Sequence, residues 1–63
     1  MDFNELIDQI EEAARIRMTE EGVADADWDE FEERYFFAEV EWRINNREPG
    51  WELLQNEYFP EIK

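Results

Sequence analysis

Residues 28–46 carry apolar side chains on two opposite sides of one predicted helix, and this feature constrains the fold more than any other. A first stripe recurs at steps of three and four residues, which is the spacing of one helical face. It comprises Trp28, Phe31, Tyr35, Ala38 and Trp42. A second stripe lies almost opposite on the helical wheel and comprises Phe36, Phe37, Val40 and Ile44. A helix that is apolar on two sides is usually packed between neighbours, so the chain needs further helical segments to cover it.

One such segment precedes this helix. In residues 2–19, apolar side chains again recur at three- and four-residue steps, which predicts a first helix with one buried face. Asp2 followed by Glu5 has the spacing of a capping box at its start. Residues 20–27 form the predicted connection, where Gly22 can end the first helix in a left-handed conformation.

The other segment is a short third helix near the C-terminus. We expect Glu48 and Pro49 to open it, with Pro49 in its first turn, and Pro60 to stop it. Its apolar face comprises Trp51, Leu54 and Tyr58, and residues 61–63 form a tail. The sequence therefore predicts one all-α domain over residues 1–63, with three helices and a long central one that Asp27 caps.

The lengths of the helices predict how the two stripes are covered. We expect the first stripe to be buried, with Trp42→Ala the most damaging single substitution, at about 3–5 kcal/mol. A third helix of about nine or ten residues spans roughly 15 Å and cannot cover a central helix of about 28 Å. Part of the second stripe, Phe36, Phe37, Val40 and Ile44, is therefore expected to stay open as a homodimer or partner contact.

The composition argues against catalysis and against bound cofactors or metals. The chain has no cysteine, histidine or serine, so it lacks disulfides, the usual general base and the commonest metal ligands. Residues 25–29 have the Asp-x-Asp-x-Asp spacing that opens a calcium loop. The sixth loop position is Glu30 and the twelfth is Phe36, where such a loop requires Gly and Glu. We therefore expect no enzyme activity, no cofactor and no metal site.

The net charge excludes two classes of direct ligand. The chain carries 19 Asp and Glu against six Lys and Arg, a formal net charge of −13. A small domain needs a magnitude of only about 2–8 for solubility. This charge repels nucleic-acid phosphates and anionic membranes. The sequence lacks a basic leader with an apolar segment and an apolar run of roughly 20 residues, so we expect a cytoplasmic protein.

The same charge suits a chain that binds another protein, one whose basic groove normally holds nucleic acid. Carboxylates four residues apart on a helix lie about 6 Å apart along its axis, which is close to the separation of successive phosphates on a strand. One predicted row comprises Glu5, Asp8 and Glu12, and a second comprises Asp25, Asp27, Asp29 and Glu33. Such rows can occupy a basic groove in place of phosphates.

In composition, size and helical aromatic packing, the chain resembles the small acidic proteins that phages encode as DNA mimics. These include some anti-CRISPR proteins and inhibitors of restriction or repair. The resemblance implies a non-catalytic inhibitor or regulator in the host cytoplasm that blocks the basic nucleic-acid-binding surface of a partner protein. An alternative stays open, in which the chain is a small helical adaptor or homodimer and its charge serves solubility or adaptation to salt.

Overall fold

The computed structural model describes residues 2–60, which form three helices: α1 (Phe3–Glu20), α2 (Trp28–Asn45) and α3 (Trp51–Tyr58). A 3₁₀ turn at Asp25–Asp27 leads into α2, and no strand occurs within the described residues. The predicted all-α fold with a long central helix is confirmed. The predicted tail, residues 61–63, lies outside the described residues.

The ends of α1 follow the local sequence signals. The Asp2 carboxylate accepts a hydrogen bond from the Glu5 backbone N–H at 2.8 Å, as the capping-box spacing predicts. At the other end Gly22 adopts a φ of 77°, and the Val23 N–H donates to the Met18 carbonyl at 3.0 Å. This arrangement is a Schellman motif, which satisfies carbonyls that the helix leaves unpaired.

The ends of α2 differ in part from the prediction. Asp27 occupies the N-cap position, but its side chain makes no capping hydrogen bond, because the 3₁₀ turn already brings its backbone close to helical geometry. At the C-terminal end Arg47 takes the left-handed position with a φ of 54°, where glycine is the usual residue. Its guanidinium lies 4.2 Å from the centre of the Trp51 ring, and this contact compensates for part of the backbone strain.

The start of α3 also corrects the prediction. Pro49 precedes the helix instead of lying in its first turn, and Gly50 is the N-cap with a φ of 88°. A Cβ atom on Gly50 would lie 2.8 Å from Leu6 Cδ2. The backbone of the turn therefore rests directly on α1, which only glycine allows at this position.

The hydrophobic core lies on the second stripe of α2. The fully or nearly fully buried cluster comprises Leu6, Ile10, Val40, Ile44 and Leu54. Phe36 and Phe37 are half-buried and make edge-to-face contacts with Tyr58 at 5.7 and 5.6 Å between ring centres. Both α1 and α3 thus pack on the same side of α2.

The expectation that part of the second stripe stays open holds only for Phe36 and Phe37, which are half-buried. Val40 is 0% and Ile44 8% exposed, so a homodimer through Phe36, Phe37, Val40 and Ile44 would require the core to open. The stripe is covered further than the helix lengths predict, because α1 and α3 share one face of α2 instead of covering opposite faces.

The C-terminal part of the first stripe faces outwards, which corrects the prediction that this stripe is buried. Ala38 is exposed and Trp42 is 48% exposed, while Trp28, Phe31 and Tyr35 are half-buried. Trp42 is not the central core residue that its size and spacing suggested. The buried apolar side chains of α2 are the smaller Val40 and Ile44.

Candidate partner-binding surfaces

The first carboxylate row lies on the outer side of α1. Glu5, Asp8 and Glu12 are all exposed, whereas Leu6 and Ile10 of the same helix are fully buried. The row therefore points away from the core, as the helical wheel predicted. The rise of an α-helix separates neighbouring members of the row by about 4.5 and about 6 Å along the axis.

The second row lies at the other end of the α1–α2 pair. Contacts of Arg17 with Glu39 and of Glu21 with Tyr35 show that these helices run antiparallel. The turn between them consequently lies at the opposite end of α1 from the first row. The exposed members of the second row are Asp25, Asp27, Asp29 and Glu33.

Sequence reasoning missed the full extent of this acidic end. Residues 20–33 contain eight acidic side chains and no basic one. Glu20, Glu21 and Glu30 are also exposed there. The run of acidic residues in the sequence indicates this acidic end. Helical spacing alone selects only four of its eight carboxylates.

The seven predicted carboxylates make no ion pair among the described residues. The acids that do so are Glu11, Glu32 and Glu39, which pair with Arg15, Arg17 and Arg43. Glutamate four residues before arginine on a helix predicts ion pairs for Glu11–Arg15, Glu30–Arg34 and Glu39–Arg43. The first and third form, at 3.6 and 2.9 Å. The Glu30–Arg34 pair is not found among the described residues, where the Arg34 guanidinium lies over the Phe31 ring at 5.7 Å.

Every arginine is therefore held by an intramolecular partner. Arg15, Arg17 and Arg43 contact carboxylates, and Arg34 and Arg47 contact aromatic rings. None of these contacts neutralises a member of either carboxylate row. The two rows keep their full negative charge facing solvent.

Glu39 differs from the other acids because it is buried, with 7% of its surface exposed. Its carboxylate accepts a 2.9 Å hydrogen bond from Arg43 Nε and lies 3.8 Å from Arg17 Nη2. These contacts lie between the two stripes of α2 and join α1 to α2. Glu39 acts in the fold, and its geometry leaves no room for a role in binding.

The two tyrosines have raised pKa values for different reasons. A 2.7 Å hydrogen bond from the Tyr35 hydroxyl to Glu21 is the main cause that raises the pKa of Tyr35, with burial second. Burial is the main cause that raises the pKa of Tyr58, and the nearby charges of Glu57 and Glu11 add to it. Both hydroxyls therefore stay protonated at neutral pH.

The Asp-x-Asp-x-Asp segment does not form a cation loop. Asp25 and Asp27 lie in the 3₁₀ turn and Asp29 in the first turn of α2. Within residues 2–60 no cluster of acidic side chains has the arrangement of a metal site. Carboxylates at the start of a helix interact favourably with its dipole, which accounts for their placement. In the same part of the chain, no helix is long and apolar enough to cross a membrane.

The first stripe forms a second candidate surface, which the sequence had assigned to the core. Beside it lies a shallow cleft of about 290 Å³, lined by Arg17, Glu21, Arg34, Tyr35 and Ala38. Two of the five arginines thus border this surface. It combines exposed aromatic area with a more balanced charge than the carboxylate rows have.

The comparisons with known proteins return no relative. No family model matches the chain, and no curated protein and no solved structure is detectably similar to it.

Proposed function

We propose that this protein is a non-catalytic inhibitor or regulator that binds the basic nucleic-acid-binding surface of a partner protein, with its carboxylates in place of phosphates. One observation carries the proposal. All seven carboxylates of the two rows are exposed and outside the described ion pairs, while all five arginines are held by other groups.

The arrangement of these charges supports a surface with a binding role. A chain that needed only solubility would gain stability from arginines placed among its acids, because like charges repel one another in the compact state. Here residues 20–33 accumulate eight acids with no base among them, and of these acids only Glu32 has an ion pair among the described residues. The stability lost to that repulsion is offset if a basic partner neutralises it on binding.

The long axis of the molecule suits a groove. The protein measures 35 × 24 × 18 Å, and the carboxylate rows lie towards opposite ends of the antiparallel α1–α2 pair. A basic groove that follows a nucleic-acid strand is contacted at several points along such a length. Opposite surface charges also accelerate the encounter between the two proteins.

The first experiment tests whether the bound partners are nucleic-acid-binding proteins. The chain is immobilised, exposed to a bacterial lysate, and eluted either with short duplex DNA or with an uncharged polymer. We expect the duplex to displace the captured proteins, because both ligands occupy the same surface. Proteins that stay bound in the presence of duplex and come off only in denaturant would contradict the proposal.

The second experiment locates the interface with charge-matched variants. One variant neutralises the first row (Glu5→Gln, Asp8→Asn, Glu12→Gln), and another neutralises part of the second (Asp25→Asn, Asp29→Asn, Glu33→Gln). The control removes three exposed acids elsewhere (Glu41→Gln, Glu52→Gln, Glu57→Gln). All three variants have the same net charge, so long-range steering is equal.

Affinity is measured against a partner recovered in the first experiment, with the labelled chain at nanomolar concentration. We expect at least one row variant to bind about tenfold or more weakly than the control, a cost of about 1.4 kcal/mol. We also expect wild-type affinity to fall steeply with salt. Equal loss in all three variants would mean that net charge, and not either row, drives binding.

The alternative function is a small acidic adaptor whose charge serves solubility. The observation that favours it is the exposed first stripe, which offers apolar contact area outside the core. Binding through such an area responds little to salt. The salt dependence of partner affinity therefore separates the two functions.

A further inference from the structure

The exposed C-terminal part of the first stripe is arranged around Ala38. Ala38 is small and exposed, and larger groups stand three and four residues to either side of it. On one side these are Arg34 and Tyr35, and on the other Glu41 and Trp42. Antiparallel helices that cross at Ala38 would therefore bring groups of different chemistry opposite one another.

We propose that the first stripe is the contact surface for a second copy of this chain, with the two α2 helices antiparallel across a two-fold axis at Ala38. On one edge of this contact Arg34 faces Glu41 of the second copy. On the other edge Tyr35 faces Trp42 of the second copy. Each pair occurs twice, as a two-fold interface requires. Alanine at the crossing allows the helix axes to approach to the short end of the usual range of 8–10 Å.

Arg34 is the residue that makes this contact complementary. Among the described residues it has no carboxylate partner, and its contact with Phe31 spans 5.7 Å. It is exposed and borders the cleft beside Tyr35 and Ala38. The glutamate of a second copy supplies the ion pair that the chain itself does not provide.

The distribution of charge favours a second copy over a basic partner at this surface. Arg17, Arg34 and one acid, Glu21, line the cleft next to the first stripe, so the charge there is less negative than on the rest of the chain and favours a basic partner less. The carboxylate rows lie on α1, in the turn before α2 and in the first two turns of α2, so none of their members is closer in sequence than five residues to Ala38. Two copies of an acidic chain meet with least repulsion where its arginines are gathered.

The size of the surface predicts a weak, salt-dependent dimer. Crossing one helix face buries less than the roughly 800 Å² per partner of a standard interface. Dimerisation also brings together two chains of net charge −13. Added salt screens this repulsion, since the Debye length falls from about 30 Å at 0.01 M to about 3 Å at 1 M. We expect association in the micromolar range or weaker, which tightens as salt rises.

Sedimentation equilibrium across protein concentration and salt tests the proposal with two matched variants. Trp42 and Leu53 are both large apolar residues with similar exposure, 48% and 45%, but Leu53 lies on α3 outside the first stripe. Trp42→Glu is expected to weaken dimerisation at least tenfold, while Leu53→Glu leaves it within about twofold of wild type after equal change in charge. A monomeric mass for wild type at high salt and millimolar concentration overturns the proposal, as does equal weakening by both variants.

A charge exchange tests the antiparallel register. Arg34→Glu and Glu41→Arg each place like charges opposite one another in the proposed contact and are expected to weaken the dimer. The double variant restores the pair in reversed orientation and is expected to recover association to near the wild-type level. Failure of the double variant to recover, while its circular dichroism melt matches wild type, overturns the antiparallel register.

Discussion

The two apolar stripes of α2 both follow helical spacing, yet their C-terminal parts lie in opposite environments. Val40 and Ile44 of the second stripe are in the core, whereas Ala38 and Trp42 of the first stripe, two residues before each, are exposed. Size and aromatic content favour the first stripe for burial, and the structure buries the second. Spacing identifies a face of a helix, but the side chains of the neighbouring elements determine which face they cover.

Two features place those neighbours on the second stripe. The buried Glu39 lies at the boundary between the stripes and contacts Arg17, which attaches α1 on that side. Gly50 lets the turn before α3 rest on Leu6, which brings α3 to the same side. The predictions below change these features one at a time, from the largest expected effect to the smallest.

Truncation of one residue in each stripe tests the comparison directly. Ile44→Ala leaves a cavity in the core and is expected to lower the free energy of unfolding by about 2–5 kcal/mol. Trp42→Ala removes a side chain that is about half exposed, and we expect less than half of that loss. Urea unfolding of the two variants measures both values. A larger loss for Trp42→Ala would show that the first stripe is the true core.

Substitution of the two left-handed glycines distinguishes the cost of backbone strain from the cost of a steric clash. Gly22→Ala meets no atom within 4 Å, so we expect only the cost of a left-handed alanine, about 1–2 kcal/mol. Gly50→Ala adds a clash with the buried Leu6 and is expected to cost about 2–4 kcal/mol. Thermal melts compare the two variants. Equal losses would mean that the turn before α3 does not rest on α1.

The ion pairs between α1 and α2 differ in burial and therefore in their contribution to the free energy of unfolding. Glu39→Gln removes a buried charge that two arginines contact, and we expect a loss of about 1–3 kcal/mol. The control Glu32→Gln affects an exposed pair at 3.9 Å and is expected to cost within about 0.5 kcal/mol. Urea unfolding again provides the measurement. A neutral Glu39→Gln would argue against its role in attaching α1 to the second stripe.

The tyrosines are expected to have the smallest effect on stability, and their raised pKa values determine the direction in which stability changes with pH. The folded-state pKa of Tyr58 is raised above its unfolded value of 10.0, mainly by burial. Its contribution to stability is therefore fully present below about pH 10 and is lost as the pH rises through the folded-state pKa. Tyr58→Phe is expected to reduce the fall in melting temperature above about pH 10.

Tyr35 provides the contrasting titration on the first stripe. Its pKa is raised mainly by the hydrogen bond to Glu21, so Glu21→Gln is expected to lower the pKa of Tyr35 and leave that of Tyr58 unchanged. Ultraviolet titration of Tyr35→Phe and Tyr58→Phe variants assigns the two phenolate transitions. A shift of both pKa values in Glu21→Gln would point to a general effect of net charge.

Much of the fold could be predicted from the sequence because its signals are local. Helical spacing, the Asp2 cap and Gly22 give the helix bounds to within one or two residues. The carboxylate rows were also predictable as exposed, since charged side chains opposite an apolar face point to solvent. Their binding role stays a prediction.

The packing of the helices could not be predicted, because it depends on contacts between distant residues. Apolar spacing alone does not distinguish the two sides of the helix over residues 28–46, because both sides carry an apolar stripe. A glutamate beside the apolar stripes is expected to be exposed, but Glu39 is buried and contacts Arg17, 22 residues earlier. The contact between Gly50 and Leu6 likewise joins opposite parts of the chain.

The central claim is that Trp42, at the C-terminal end of the first stripe of α2, lies at the surface, while Val40 and Ile44 of the second stripe lie in the core. Fluorine NMR of the chain with fluorinated tryptophan tests it with all three tryptophans in place, each resonance being assigned by one Trp→Phe variant. The solvent-isotope shift between water and heavy water reports exposure, and it is measured in dilute, low-salt samples where charge keeps the chains apart. We expect the largest shift at Trp42, which is 48% exposed, and smaller shifts at the half-buried Trp28 and Trp51. The smallest shift at Trp42 would contradict the account.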